Sequence, residues 1–500
     1  MPAREATAAV LQRWRSPRLI AAATSDWVPP AIVVVVTLGM LLASPVWASP
    51  DSPMQQITAW HDIHHLLPGA AVLVPLDGAI IPCFAHHAAM AASCTATHPV
   101  PLPQASMVAV LNYPPLGFWI MGIGQVLGTL VSDPWASTGG RLLLAVACLL
   151  AIIVASRVLV GAEQRSALWM LPVAITPMAT FLFAGSNVNG LEIALSALFV
   201  ALLLAWRRRA EIDQGWTRAE LHLGVAALGL AACKPGDWLW IVLLLGAAGL
   251  RWRRTLDVAS GIRAVAACTP AVAASLVWSW IHPTVITSAG LHGAATTHPL
   301  SLPARLAHSI GHLQNVVMEA WGVVGWLDTS PGRPFFVLLI VGTAFLASRV
   351  IVTTSDRLYL LSSVILVLAV ATVGNAVEWN GWPNWWQGRY SLPLIVGLAL
   401  LLVEDQRNQP RPGMRSWAGF SAVTSAAMVL LVELRFAAGL RWFFVPVALR
   451  PMLDDPLRTA AVGAIVVTLV VVGLLLMATD PVEGRRRGRS MAGPTGVRSG

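Results

Sequence analysis

Apolar residues occur along the chain in thirteen blocks, which are continuous rather than alternating in polarity. Continuous blocks predict helices, and a helix of ~20 residues crosses a hydrocarbon layer about 30 Å thick. Inside lipid, only helices and closed barrels satisfy every backbone polar group. The pattern therefore predicts an all-α, polytopic integral membrane protein. The blocks lie at about 29–47, 114–131, 141–158, 168–184, 190–206, 220–233, 238–250, 262–281, 334–352, 358–375, 389–403, 417–434 and 459–478.

Arginine-rich segments stand at the ends of several blocks and indicate the orientation in the membrane. Both termini are expected in the cytoplasm, which requires an even number of full crossings. We predict about twelve full crossings and one partial segment, either the proline-broken stretch after Tyr113 or one of the short helices beside Lys234. The positive-inside rule places these segments in the cytoplasm: 207–209, 251–254, 407–415 and 485–489.

This orientation divides the chain into a cytoplasmic segment at 1–28, a transmembrane domain at 29–480 and a basic cytoplasmic tail at 481–500. We expect a multi-pass protein of the plasma (inner) membrane. Long loops are often functional, and four loops are expected on the extracytoplasmic side, at about 48–105, 282–333, 376–388 and 435–458.

Composition supports the membrane prediction. Of the 500 residues, 56% are hydrophobic and 11% are charged, whereas soluble domains carry about 25% charged residues. The net charge of +9 is explained by cytoplasmic arginines, so membrane lipid is an expected partner and nucleic acid is not.

Two cysteines share the first long loop. If this loop faces an oxidising compartment, Cys83 and Cys94 are expected to form a disulfide. The other cysteines, at 148, 233 and 268, lie in apolar blocks.

The same loop begins with Ser-Pro-Asp, which fixes Asp51 at the membrane surface. There its carboxylate can reach a lipid-borne substrate, or it can serve as the N-cap of the following helix; both interpretations stay open. His61, His64 and His65 share one helical face, a spacing that can bind metal. We favour an interfacial helix and expect neither metal nor cofactor.

Polar residues interrupt the apolar blocks at two further places. Asn187, Asn189 and Glu192 are predicted to line a cavity, because a carboxylate at such depth is costly unless it is paired or hydrated. Lys234 either pairs with Asp237 or holds a phosphate.

The richest stretch is 378–390, with four tryptophans in eight residues. Flat aromatic faces such as those of Trp382, Trp385 and Trp386 can stack on sugar rings. Arg389 enters a helix at a position where its guanidinium can grip a phosphate. An anchor at the membrane interface explains the same residues equally well. The stretch ends with two further candidates for substrate binding, Gln387 and Tyr390, and Tyr113 is another.

The order of several motifs resembles a family of bacterial membrane proteins catalogued as a domain of unknown function. The likeness spans about residues 45–405. The motifs are Ser-Pro-Asp at 49–51, Tyr-Pro-Pro-Leu at 113–116, Gly-Ser-Asn-x-Asn-Gly at 185–190, Lys-Pro at 234–235, Gly-Trp-Leu-Asp-Thr at 325–329 and Gln-Gly-Arg-Tyr at 387–390.

That family is in turn similar to the GT-C class of glycosyltransferases, which use polyprenyl-phosphate sugars. The resemblance implies that Asp51 is the general base and that Lys234 and Arg389 lie near the lipid phosphate. One departure is that Ser52 and Pro53 follow Asp51 where the family pattern has a second acid. A mechanism with a single base is therefore the simpler expectation.

The implied function is transfer of a sugar from a polyprenyl-phosphate donor to a glycan or lipid acceptor of the cell envelope. Two alternatives stay open. A transporter or flippase of a lipid-linked saccharide would use the same polar residues for binding, whereas a non-catalytic protein of envelope assembly would tolerate the loss of Asp51 and Arg389. An outward cavity that brings Asp51, Lys234 and Arg389 together favours the enzyme.

Overall fold

The computed structural model describes residues 21–22, 24–49, 51–64, 80–81, 87, 90–92, 94, 100–101, 113–132, 135–210, 216–282, 300–377, 386–404, 410–438 and 456–480. Each of the thirteen apolar blocks contains a helix, which confirms the all-α prediction. A two-residue antiparallel pair, β1 (Ile80–Ile81) with β2 (Val100–Pro101), joins parts of the first loop.

The described ranges contain seventeen α-helices and one 3₁₀ helix, Gly388–Ser391. The α-helices are α1 (Val28–Ala43), α2 (Ser52–His64), α3 (Leu116–Thr129), α4 (Ala136–Gly161), α5 (Arg165–Ala174), α6 (Pro177–Ala184), α7 (Val188–Ala210), α8 (Arg218–Ala231), α9 (Trp238–Trp252), α10 (Val258–Ile281), α11 (Leu302–Gly311), α12 (Leu313–Gly322), α13 (Arg333–Val350), α14 (Thr354–Val377), α15 (Leu392–Leu402), α16 (Met414–Ala438) and α17 (Pro456–Thr479).

Seven of the described helices are long and apolar enough to cross a membrane: α4, α7, α10, α13, α14, α16 and α17. Four shorter apolar helices accompany them, namely α1, α3, α9 and the continuous stretch Gly388–Leu402. The chain is therefore a polytopic membrane protein. Helix α8, which ends beside Lys234, is in neither group.

The predicted crossing at 168–184 is not one straight helix. It consists of α5 and α6, which meet at an angle of 75°. Proline suits the first turn of a helix but not its interior, and Pro177 starts α6 while the Thr176 side chain accepts the Ala179 N–H at 3.3 Å. The expectation that the broken segment would follow Tyr113 or flank Lys234 missed this break.

The centre of the bundle is formed by α7, α15 and α16. Most of α7 and α16 is buried inside the protein, whereas α10, α13, α14 and α17 expose most of their surface. In α15 the buried residues include every leucine. The peripheral helices thus present leucine, valine and isoleucine outward, as lipid-facing helices do.

A buried arginine joins three helices near one end of the bundle. Arg141, in the first turns of α4, donates to the carbonyl oxygens of Ser44 at 2.9 Å and Leu41 at 3.0 Å, at the end of α1. Its Nε donates to the carbonyl oxygen of Ala184, the last residue of α6. Carbonyl groups at helix ends lack intrahelical partners and carry partial negative charge, so the arginine satisfies both ends.

Replacing Arg141 by methionine is expected to lower the free energy of unfolding by about 3 kcal/mol, because several buried carbonyl groups lose their donor. The measurement is the melting temperature of the purified protein in detergent. Arg157→Met is the matched control, because Arg157 lies on the same helix but is exposed. Equal melting temperatures for the two variants would contradict the role of Arg141.

Candidate active site

The site centres on an ion pair between two helix starts. Asp51 precedes α2, and its carbonyl accepts the Gln55 N–H at 2.8 Å, as at an N-cap position. Its carboxylate instead reaches Arg389 in the 3₁₀ helix, with Oδ2 2.6 Å from Nη2. The Asp51 side chain is 52% exposed, whereas that of Arg389 is 1% exposed. One partner therefore faces outward while the other is enclosed.

The turn that carries Asp51 has an unusual backbone. Both Trp47 (φ 67°) and Asp51 (φ 65°) adopt the left-handed conformation, which L-residues other than glycine rarely use. Such conformations persist only where the surroundings hold them, and they are frequent at functional sites.

The Arg389 guanidinium uses only some of its N–H donors in hydrogen bonds to the described residues. Its Nη2 also donates to the Tyr390 hydroxyl at 3.3 Å. Its Nε and Nη1 are buried and have no hydrogen-bond partner among the described residues. Leaving buried donors unpaired costs free energy, and a planar guanidinium suits an oxyanion with two acceptor oxygens. The free donors are therefore available to an anionic ligand.

A second cation lies beside the first. The Lys234 Nζ is 4.5 Å from the centre of the Tyr390 ring, and the Arg389 guanidinium carbon is 5.2 Å from it. Lys234 also pairs with Glu192 at 3.5 Å, and Glu192 accepts the Trp240 Nε1–H at 2.7 Å. Both positive charges thus lie close to the same tyrosine ring.

From the sequence, Lys234 was expected either to pair with Asp237 or to hold a phosphate. Its side chain pairs with Glu192, while the Asp237 carboxylate accepts the lysine's backbone N–H at 2.8 Å. Tyr113 lies within electrostatic reach of Lys234 and Asp51. Burial raises the pKa of Tyr113 to about 12, against the lowering effect of Lys234, so its hydroxyl remains protonated at neutral pH.

The sequence did not single out Glu319 as a site residue. Its carboxylate accepts the Gly388 N–H at 2.8 Å and so fixes the residue before Arg389. Burial raises the pKa of Glu319, while the Gly388 N–H and the nearby Arg389 oppose the shift. The sequence signal for Glu319 was limited to an acidic residue on an amphipathic helix, within the loop predicted at about 282–333.

Of the tryptophan-rich stretch, Trp382 and Trp385 lie outside the described residues. Trp386 donates its Nε1–H to Ser391 at 3.0 Å and meets the Tyr390 ring edge-on, with centroids 6.0 Å apart. Next to it, the Gln387 Oε1 is buried and has no hydrogen-bond partner in the described ranges.

Asn187 and Asn189 lie at the start of α7, where they are buried. The Asn187 side chain accepts the Asn189 N–H at 3.0 Å, and Gln55 of α2 accepts the Val188 N–H at 2.8 Å. The Gln55 amide therefore joins α2 to α7, whereas the Asn187 side chain caps the start of α7. Glu192, one turn further along α7, reaches Lys234 directly.

Two other expectations concern the first loop. Cys94 is disulfide-bonded, but Cys83 lies outside the described residues, so their pairing stays a prediction. His65 also lies outside. Within the described ranges, no group of three His, Cys, Asp or Glu side chains could hold a metal ion.

The fold and the site together define a multi-pass helical membrane protein that encloses paired charges. The chain belongs to the family described as "Predicted membrane protein (DUF2142)", whose model matches residues 34–398. This match confirms the family resemblance seen in the order of the motifs.

Among solved structures, the chain is similar to the crystal structure of ArnT from Cupriavidus metallidurans in the apo state. The two chains share 15% sequence identity with a TM-score of 0.40, over 92% of this chain and 76% of that chain. None of the curated proteins compared with the chain gives a significant match.

The close packing at Gly388 yields a test of the site's construction. A Cβ at this position would overlap the Val316 carbonyl oxygen and the Ala320 nitrogen of α12. Gly388→Ala is therefore expected to lower the free energy of unfolding by about 1–3 kcal/mol. The matched control is Gly311→Ala, where a Cβ meets no atom within 4 Å. Unchanged thermal unfolding of both variants would contradict this packing.

Proposed function

We propose that the protein is a membrane glycosyltransferase that moves a sugar from a polyprenyl-phosphate donor to a glycan or lipid acceptor of the cell envelope. The observation that carries this proposal is the Asp51–Arg389 pair: a half-exposed carboxylate 2.6 Å from a buried guanidinium. Two donors of that guanidinium, Nε and Nη1, have no hydrogen-bond partner in the part of the chain that the structure describes. The arrangement places a base next to an anion-binding cation.

Glycosyl transfer needs both groups. The Asp51 carboxylate takes the proton of the acceptor hydroxyl, and the acceptor oxygen forms a bond to the anomeric carbon of the sugar. The bond between that carbon and the phosphate oxygen breaks, and its electron pair leaves with the polyprenyl phosphate. Arg389 and Lys234 stabilise the negative charge on the leaving phosphate.

The remaining candidates take binding roles in this proposal. The Tyr390 ring lies close to both cations and helps to hold them near one phosphate. Gln387 offers a sugar hydroxyl an amide oxygen that has no partner among the residues described by the structure. Trp386, with Trp382 and Trp385, is proposed to provide apolar faces for the sugar.

The proposal also fixes an orientation. The Asp51 loop lies on the extracytoplasmic side of the plasma membrane, and both termini lie in the cytoplasm, as the arginine-rich segments favour. A lipid-linked donor then reaches the site from the outer leaflet. A flippase or transporter of the same donor would bind it at these residues without breaking the glycosidic bond.

Asp51→Asn is expected to reduce transfer at least about 100-fold, since the amide cannot accept the proton. The measurement is the release of labelled sugar from radiolabelled polyprenyl-phosphate sugars in membranes that contain each variant. Asp62→Asn is the matched control, because Asp62 lies on α2 and pairs with His61 rather than Arg389. Undiminished transfer by Asp51→Asn would refute the enzyme.

Arg389→Lys keeps a positive charge beside Asp51 but loses the planar fork that binds two phosphate oxygens. Polyprenyl phosphate is expected to raise the melting temperature of the wild-type protein, because it binds only the folded state. We expect the variant to need about tenfold more lipid for the same shift.

The matched control for Arg389→Lys is Arg333→Lys, an exposed arginine at the start of α13. An identical response of both variants to polyprenyl phosphate would count against a phosphate site at Arg389. Binding without any sugar transfer would instead favour the flippase.

A further inference from the structure

The motif at 325–329 has no part in the chemistry above, yet it forms a closed and rigid loop. Val324 and Thr329 exchange backbone hydrogen bonds of 2.9 and 3.3 Å. Between them, Gly325 (φ 68°) and Leu327 (φ 59°) both adopt the left-handed conformation. Leucine seldom does so, and its conformation here requires strong support from its surroundings.

That support comes from a buried arginine near the end of α16. Arg435 is 0% exposed and binds two side chains of the loop, Thr329 Oγ1 at 3.0 Å and Asp328 Oδ2 at 3.2 Å. It also donates to the carbonyl oxygens of His87 at 3.1 Å and Met90 at 2.5 Å in the first extracytoplasmic loop. Charge-assisted bonds of this kind hold a loop in one conformation.

The rigid loop extends one side chain towards the Asp51 turn. Trp326 donates its Nε1–H to the carbonyl oxygen of Trp47 at 3.1 Å. Trp47 in turn points its own Nε1–H at Gln56 of α2, at 3.4 Å. The peptide group after Trp47 is therefore held from outside the turn, four residues before Asp51.

We propose that Trp326 is a positioning residue that holds the Asp51 carboxylate at Arg389, with segment 324–329 as its rigid support. This inference rests on the proposed function. The turn contains two left-handed residues, Trp47 and Asp51, so it has more relaxed conformations available once an external bond is lost. Any of them moves the carboxylate away from its place beside the guanidinium.

The test is Trp326→Phe, which keeps an aromatic ring but removes the N–H donor. Because the phosphate-binding residues are untouched, KM for the polyprenyl-phosphate sugar should change less than about twofold. The kcat should fall about 10- to 100-fold, as expected when a catalytic group is displaced by about 1 Å. The melting-temperature shift caused by polyprenyl phosphate alone should stay as in the wild type.

Trp280→Phe is the matched control, since this tryptophan is 83% exposed at the end of α10. A merely structural role for Trp326 predicts a lower melting temperature and a higher KM, and this result would overturn the proposal. So would a wild-type kcat.

Failure of the positioning role is distinguishable from failure of the proposed function. If Asp51→Asn is inactive and Trp326→Phe behaves as the wild type, only the positioning role is wrong. If Asp51→Asn retains full activity, the enzyme itself is wrong, and with it the positioning role.

Discussion

A charge inside an apolar bundle must find a partner, because the surrounding lipid and protein offer it no water. Three buried arginines meet this demand in three ways. Arg141 binds backbone carbonyl groups at two helix ends, and Arg435 binds a folded loop. Arg389 binds Asp51, 338 positions away in the sequence. Each contact joins segments that apolar packing alone would leave free to slide.

The proposed chemistry depends on the same demand. The described residues satisfy only part of the hydrogen-bonding capacity of Arg389, although burying its charge costs free energy. The remaining capacity is what an anionic substrate finds. Lys234 differs because its ammonium group is paired with the carboxylate of Glu192. Its charge is therefore stabilised near the site even when no ligand is bound.

The helices were predicted well because a helix that spans lipid must have a certain length and must be apolar, and both properties are visible within a short stretch of sequence. The break between α5 and α6 was missed, because the Thr176-Pro177 step that makes the break lies within a run of mostly apolar residues. Asp51 and Arg389 were singled out separately, each for its position at a helix start. Their contact was not predictable from local pattern, since it is made by the packing of the whole bundle. The role of Arg141 could not be predicted, because its partners are backbone carbonyl groups and every residue type has one.

Helix α3 has a consequence for the surrounding lipid. It has 14 residues, which at 1.5 Å per residue span about 21 Å, and Trp119, Ile123 and Leu127 expose their side chains on its outer face. A bilayer of ordinary thickness is wider than so short an apolar face, and lipids beside a face of this kind compress or tilt to meet it. Since Gln125 binds α2 at 2.9 Å, this hydrophobic mismatch adjoins the helix that begins after Asp51. In the proposed mechanism, such a mismatch draws the headgroup plane inward next to the site that we propose for a membrane-borne substrate.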